Sequence, residues 1–330
     1  MTDTRQHAAQ TEEKPNAVRA RGLLVGRGAP FAPEQGAAMV AELAAKGDAD
    51  ALSTLATLRA AGAWTSHSWP EAMDLLAEAA ELGSVEARSQ LLVLSPDRDL
   101  AAQVRSGEMR DPGRWRKLKD SIDLEAWVTP EPPVQVCDGP RIWTAEKFAT
   151  PELCEWLVNR ARDRFNPALM RDPTTGVAEA LDSRTCSDFA FDVLDGGLVM
   201  LLLRIKISNT TSIPVPHMEP PQIFHYSVGE EIKAHHDFLF DGETAYGPDR
   251  SYTGDRLATF LMYLNDGYEG GELEFPHVGY RYKGRIGDGI FFASHRDKKP
   301  DPTSLHGATA VTRGEKFILS QWIHNQPFAA

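Results

Sequence analysis

From about residue 34 to residue 94, small and aliphatic residues recur at helical spacing. From about 200 to 326, β-branched and aromatic runs are cut by glycines, the pattern of short strands joined by turns. The first stretch predicts a helix over about 34–46, closing at Ala44-Ala45-Lys46-Gly47. A second carries Ala51, Leu52, Leu55, Ala56 and Leu58 towards Gly62, and a third Ala72, Leu75, Leu76, Ala79 and Ala80 towards Gly83, with Ala87 and Leu91 beyond. The turns at Gly47 and Gly83 are 36 residues apart, a repeat of paired helices whose small residues allow close approach. Glycine ends such helices because it accepts the left-handed conformation. Trp64 and Trp69 flank a loop and read as packing residues.

Residues 96–140 are mixed in character, and Thr129-Pro130-Glu131-Pro132-Pro133 reads as a stiff, extended connector. The first thirty residues are polar and Ala-rich and are expected to lack order. The chain therefore divides into a polar N-terminus (1–30), helical repeats (31–95), a helical and Pro-rich connector (96–140) and a β-rich domain (141–330).

Candidate chemistry begins at Tyr226 and runs through His235-His236-Asp237-Phe238. On a strand, residues i and i+2 share a face, so His235 and Asp237 could present an imidazole and a carboxylate to one point. A distant histidine would complete a set that leaves positions on Fe(II) open. His-x-Asp alone is a weak signal. The segments beyond Phe238 add the specificity. Arg256 to Asn265 reads as a strand, Gly270 to Pro276 as a turn into a strand, and Gly287 to Phe292 as a turn into a buried strand. His306 and Lys316, ten residues later, precede Trp322 on the last long strand. His236 and His225 are out of phase with the ligand face and read as packing residues, and His277, His295 and His324 are assigned no role.

In this combination the chain resembles the iron(II)- and 2-oxoglutarate-dependent dioxygenases, in the prolyl 4-hydroxylase-like branch, over about Arg141–Pro327. The resemblance includes an opening helix over Pro151–Arg164 and the run Arg184-Thr185-Cys186-Ser187. It implies an α+β fold, a C-terminal double-stranded β-helix or jelly roll with flanking helices, preceded by a small all-α region. It implies His235, Asp237 and His306 as iron ligands and Lys316 as the cation for the far carboxylate of 2-oxoglutarate. Tyr226 and Tyr263 match tyrosines near the co-substrate, with the Tyr263 hydroxyl a candidate donor to that carboxylate, and Trp322 matches an aromatic beside the site. Arg256 and Arg313 stand as alternative cations. The implied cofactors are Fe(II), 2-oxoglutarate and O2, with ascorbate as a reductant. The carboxylate at Asp237 argues against a halogenase. The helical region resembles Sel-one-like repeats, relatives of tetratricopeptide repeats. The loop Leu239–Asp255 is expected to cover a substrate.

Charge and cysteine usage narrow the partners. Thirty-five Lys and Arg against 47 Asp and Glu give a net charge of −12, a field that repels phosphate backbones. The basic run at Arg110, Arg114, Arg116, Lys117 and Lys119 reads as a solvated face beside Trp115. Cys137, Cys154 and Cys186 form no close pair and predict reduced thiols. No apolar run has signal-peptide or membrane-spanning length, so a cytoplasmic enzyme is expected, with neither nucleic acid nor membrane as partner. Three functions stay open: hydroxylation of prolyl or other residues in a peptide or protein, hydroxylation of a free amino acid or small metabolite, and an adaptor that recruits a protein partner through the repeats on an inactive oxygenase fold.

Overall fold

The structure, a computed structural model, describes residues 16–109, 111–168, 170–171, 178–179, 185–238 and 254–328. Arg110, Arg184 and all of the loop Leu239–Asp255 except Gly254 and Asp255 lie outside the described residues. The chain forms two compact units, one of Met1–Leu92 with Asp97–Lys119 and one of Val93–Pro96 with Asp120–Ala330.

The first unit is helical. Its helices run Ala17–Val25, Pro33–Ala45, Ala49–Ala61, Trp69–Glu81, Val85–Leu94, Arg98–Ser106 and Arg114–Asp120. Side chains of Asp48, Ser68 and Asp97 accept from backbone N–H groups in the first turns of the helices they cap. Gly62 and Gly107 close two of the helices with φ of 66° and 76°.

Two boundaries differ from the sequence reading. Residues 17–25, expected within an unordered N-terminus, form a helix with Ala20, Leu23 and Leu24 buried. The reason is Gly36 on the next helix, where a Cβ would stand 2.9 Å from the Ala20 carbonyl oxygen and 2.9 Å from Leu24 Cγ. A glycine there lets a short helix of weak intrinsic propensity seat tightly. The stretch 96–140, expected as a helical and Pro-rich connector, carries helices 98–106 and 114–120 but groups with the helical unit as far as Lys119. Arg114, Arg116, Lys117 and Lys119 of the basic run lie on the helix 114–120, which buries Trp115 and Leu118.

Beside three two-stranded pairs among the described residues, the second unit holds two larger antiparallel sheets. Strands β1 (Val134–Asp138), β2 (Arg141–Ala145), β3 (Asn166–Pro167), β4 (Ser187–Ala190), β5 (Gln222–Tyr226), β6 (Ile232–His235), β7 (Arg256–Tyr263), β8 (Leu273–Phe275), β9 (Tyr280–Tyr282), β10 (Gly289–Ala293), β11 (His306–Ala308) and β12 (Lys316–His324) build them. The larger sheet has eight strands in the order β1-β2-β10-β7-β12-β5-β4-β3, and the smaller four in the order β9-β8-β11-β6. Buried residues of both sheets, among them Phe224, Tyr226, Tyr263, Leu273, Phe275, Phe292, Ile318 and Trp322, form one core cluster. This is the helix-and-antiparallel-sheet arrangement of a jelly roll.

The opening helix spans Pro151–Ala161, three residues shorter than expected, with Thr150 as its cap. The Cys154 thiol donates to the Tyr263 carbonyl at 3.7 Å, so this helix lies against β7. Burial pushes that thiol up to about 12, and among the described residues Cys137 and Cys154 form no disulfide. A second helix, Gly197–Thr211, buries Leu198, Leu202 and Leu203. Among the described residues no helix is long and apolar enough to cross a membrane.

Candidate active site

The two sheets face each other across a narrow cleft of about 40 Å³. The larger sheet lines it by simple alternation. On β12 these are Lys316, Ile318, Ser320 and Trp322, on β7 Thr259 and Leu261, and on β5 Phe224 and Tyr226. Register fixes the order, because Lys316 pairs with Tyr226 and Trp322 with Thr259. The cation and the indole therefore sit at opposite ends of one row. The smaller sheet supplies Ile232, His235, Leu273, His306, Gly307 and Ala308.

His235 ends β6 and His306 begins β11, and the two are direct cross-strand partners. Asp237 lies two residues beyond His235. One ligand atom from each of His235, Asp237 and His306 lies within 4.8 Å of the others. His235 Nε2 is 3.5 Å from Asp237 Oδ1 and His306 Nε2 is 3.5 Å from Asp237 Oδ2.

The imidazoles are oriented alike. His235 Nδ1 donates to the Lys233 carbonyl and His306 Nδ1 to the Ser304 carbonyl, each at 2.9 Å. A carbonyl only accepts, so a neutral ring carries its proton on Nδ1 and turns the Nε2 lone pair to the shared point. Burial pushes His306 down to about 4, against the pull of Asp237, so its ring is neutral. Burial alone would raise Asp237. His306, His235 and the Arg256 guanidinium outweigh it and hold that carboxyl well below the usual range.

The Thr259 hydroxyl donates to Asp237 Oδ2 and fixes the carboxylate plane. Lone pairs of two imidazoles and a carboxylate aimed at one point repel each other unless a cation lies among them. Two neutral nitrogens and one anionic oxygen suit Fe(II). The residues fit that metal.

At the other end of the row Lys316 is 2% exposed. Its ammonium group donates to the Gly271 carbonyl at 2.8 Å and stands 4.9 Å from the Tyr226 ring centroid. Burial pushes it down to about 8. Among the described residues no carboxylate pairs with the ammonium group, which meets a carbonyl and two tyrosine rings in a dry wall that suits an incoming carboxylate.

The remaining expected residues divide. Tyr226 and Trp322 line the cleft. Tyr263 is fully buried beside it, its ring centroid 5.9 Å from the Lys316 ammonium nitrogen, and its hydroxyl donates to the Tyr282 carbonyl at 3.3 Å. Its place at the end of β7, past Leu261, puts the ring under the strand 280–282 instead of in the cleft. Arg256 is no free cation for a carboxylate. Its guanidinium pairs with both oxygens of the buried Glu219, at 2.6 and 3.1 Å. Arg313 is exposed and paired with Glu269.

Sequence reasoning missed Thr259, Glu219 and the role of His324. Glu219 also binds His324 Nε2 at 2.6 Å, and Arg256 lies 3.9 Å over the Trp322 ring. Arg256 thus clamps the indole from behind. His236 stacks on Phe238 at 4.5 Å and His225 on Phe317 at 4.6 Å, away from the shared point.

The 2OG-Fe(II) oxygenase superfamily profile matches residues 221–324, the segment that contains all seven expected residues. Probable prolyl 4-hydroxylase 3 of Arabidopsis thaliana is 32% identical over 206 residues, spanning 56% of this chain and 69% of the relative. Probable prolyl 4-hydroxylase 9 of the same plant is 34% identical over 205 residues, spanning 57% and 69%. Among solved structures, the viral collagen prolyl hydroxylase of Paramecium bursaria Chlorella virus-1 in its 2OG complex aligns at 26% identity and a TM-score of 0.42. The alignment covers 57% of this chain and 98% of that one.

Proposed function

We propose, since this chain belongs to the 2OG-Fe(II) oxygenase superfamily and to its prolyl 4-hydroxylase branch, that it hydroxylates prolyl residues of a polypeptide. The observation that carries the reading is the convergence of His235, Asp237 and His306 in a cleft whose far end holds the buried Lys316. Fe(II), when bound, supplies with 2-oxoglutarate and O2 the oxidising chemistry that turns a C–H bond into C–OH and leaves succinate and CO2.

The chain's own residues do the rest. His235 and His306 offer their Nε2 lone pairs and Asp237 one oxygen, while Thr259 keeps the other oxygen from rotating inward. Three ligands from the protein leave the remaining positions for co-substrate and oxygen. Lys316 receives the carboxylate remote from the metal, with Tyr226 against its ammonium group. Phe224, Leu261, Leu273 and Ile318 exclude water from the space between. Trp322, held from behind by Arg256, forms the wall beside the metal ligands. Ascorbate is the reductant in this reading, and the helical unit holds the polypeptide.

The test is mass spectrometry of proline-containing peptides after incubation with Fe(II), 2-oxoglutarate and air. The expected result is a gain of one oxygen on proline, matched by succinate and abolished by a chelator. Oxygen gained by free proline alone, with peptides untouched, would move the activity to a small metabolite. Peptide retained without any succinate would point to an adaptor.

A further inference from the structure

The helical unit contains a second cavity, of about 440 Å³, whose walls come from helices 85–94, 98–106 and 114–120 and the turn at Gly107. Arg88, Arg105 and Arg114 all line it, and among the described residues no acidic side chain does. Arg88 Nε donates to the Ala80 carbonyl at 2.8 Å and Arg114 Nη1 to the Asp111 carbonyl at 3.3 Å. These carbonyls hold the guanidinium groups in place without neutralising them. Among the described residues none of the three arginines has a carboxylate partner.

Trp115 lies between two of them, with the Arg88 and Arg114 guanidinium carbons 5.4 and 5.8 Å from its ring centroid. The indole is 4% exposed, and its Nε1–H finds no acceptor among the described residues. Leu92, Val104 and Met109 add apolar wall.

We propose that this cavity docks an acidic stretch of polypeptide, its carboxylates on the arginines and an aliphatic side chain against Leu92, Val104 and Met109. An inorganic anion would satisfy the guanidinium forks but leave most of the space and all of the apolar wall wet. A nucleic-acid strand would meet a chain of net charge −12. A peptide carboxylate takes a bidentate guanidinium pair and brings apolar neighbours with it. The identity of the occupant rests on the polypeptide hydroxylase reading, whereas the site rests on its own residues.

The experiment uses the full chain and a fluorescein-labelled peptide of alternating glutamate and leucine, read by anisotropy. Arg105 is exposed, so Arg105→Glu leaves the helices intact, and Arg105→Glu/Arg114→Glu reverses a second charge. Affinity should fall about tenfold or more in the single variant and further in the double one. A glutamine-for-glutamate peptide should bind about tenfold more weakly or worse. Turnover of 2-oxoglutarate without peptide should be unchanged in Arg105→Glu.

Equal binding by wild type and double variant, or by the two peptides, would overturn the proposal. So would displacement by inorganic phosphate at concentrations comparable to the peptide's own Kd, or tighter binding of a single-stranded oligonucleotide. Arginine-dependent peptide binding in a protein that never consumes 2-oxoglutarate would sink the hydroxylase reading and leave this site standing.

Discussion

At Lys316 one ammonium group stands against a carbonyl and a ring, held down at about 8 by burial. Below that pH it is charged and above it neutral. A docked carboxylate favours the charged form, so binding above pH about 8 must take up a proton. The affinity for 2-oxoglutarate should then weaken by roughly tenfold per pH unit. Calorimetry between about pH 7 and pH 9.5 checks this, and Lys316→Arg, charged throughout, should flatten the slope. A flat wild-type profile would show that another group carries the contact. Lys316→Ala should raise the Kd by about 2–5 kcal/mol in free energy while metal affinity holds. Thr259→Val keeps the shape of the side chain and removes the donor to Asp237. Loss of that support should weaken Fe(II) binding by about 10- to 100-fold with the 2-oxoglutarate contact at Lys316 intact. Metal titration of the variant decides it. At this scale His235, Asp237, His306 and Lys316 were legible because the chemistry demands those residue types in that order. Thr259 and Glu219 were not, since a threonine in a strand and a lone glutamate before a proline carry no pattern until the register sets them against Asp237 and Arg256. For Tyr263 the parity of β7 was readable from the chain, whereas the bond of its hydroxyl to the Tyr282 carbonyl was not.

The elements that bring the two histidines together are short, and their separation is set by Gly307. A Cβ at that position would stand 2.8 Å from the Ile232 carbonyl oxygen and 3.0 Å from the Ala234 nitrogen, both backbone atoms that cannot move aside alone. Gly307→Ala should therefore push β11 away from β6 and part His306 from His235. The expected cost is about 1–3 kcal/mol of stability, as for overpacking elsewhere, together with loss of Fe(II) affinity. Thermal melts with and without metal measure both, and a variant that binds iron normally would show that the strands tolerate the spread. Strand alternation and the closing glycines of the helices were readable from the chain. The helix at 17–25 was not, because its stability comes from packing against Gly36 rather than from its own composition. Within the connector read as helical and Pro-rich, the bounds of the helix at 114–120 were hidden by its charges, which outnumber the two residues, Trp115 and Leu118, that bury it.

Over the whole molecule, every residue proposed to hold metal or co-substrate belongs to the unit of Val93–Pro96 and Asp120–Ala330, and all of them lie beyond Asp120. A shortened chain starting there should bind Fe(II) and 2-oxoglutarate and consume the latter slowly without substrate. If the helical unit holds polypeptide, short peptides should be hydroxylated as by the full chain, while long acidic ones should lose affinity as the tethered second contact disappears. Turnover against peptide length, on a folded and monodisperse sample, tests this. An identical length dependence in both forms would mean that the helices serve some other end. Lys316 projects from the eight-stranded sheet, whereas His235 and His306 stand on the four-stranded one. A small molecule gripped by both is a tie-rod between two plates. It should make the barrel stiffer as well as chemically complete. 2-Oxoglutarate added to metal-loaded protein should raise the melting temperature by an amount that tracks its concentration over Kd. A keto acid of the same head but without the distal carboxylate, fastened to one plate only, should raise it far less.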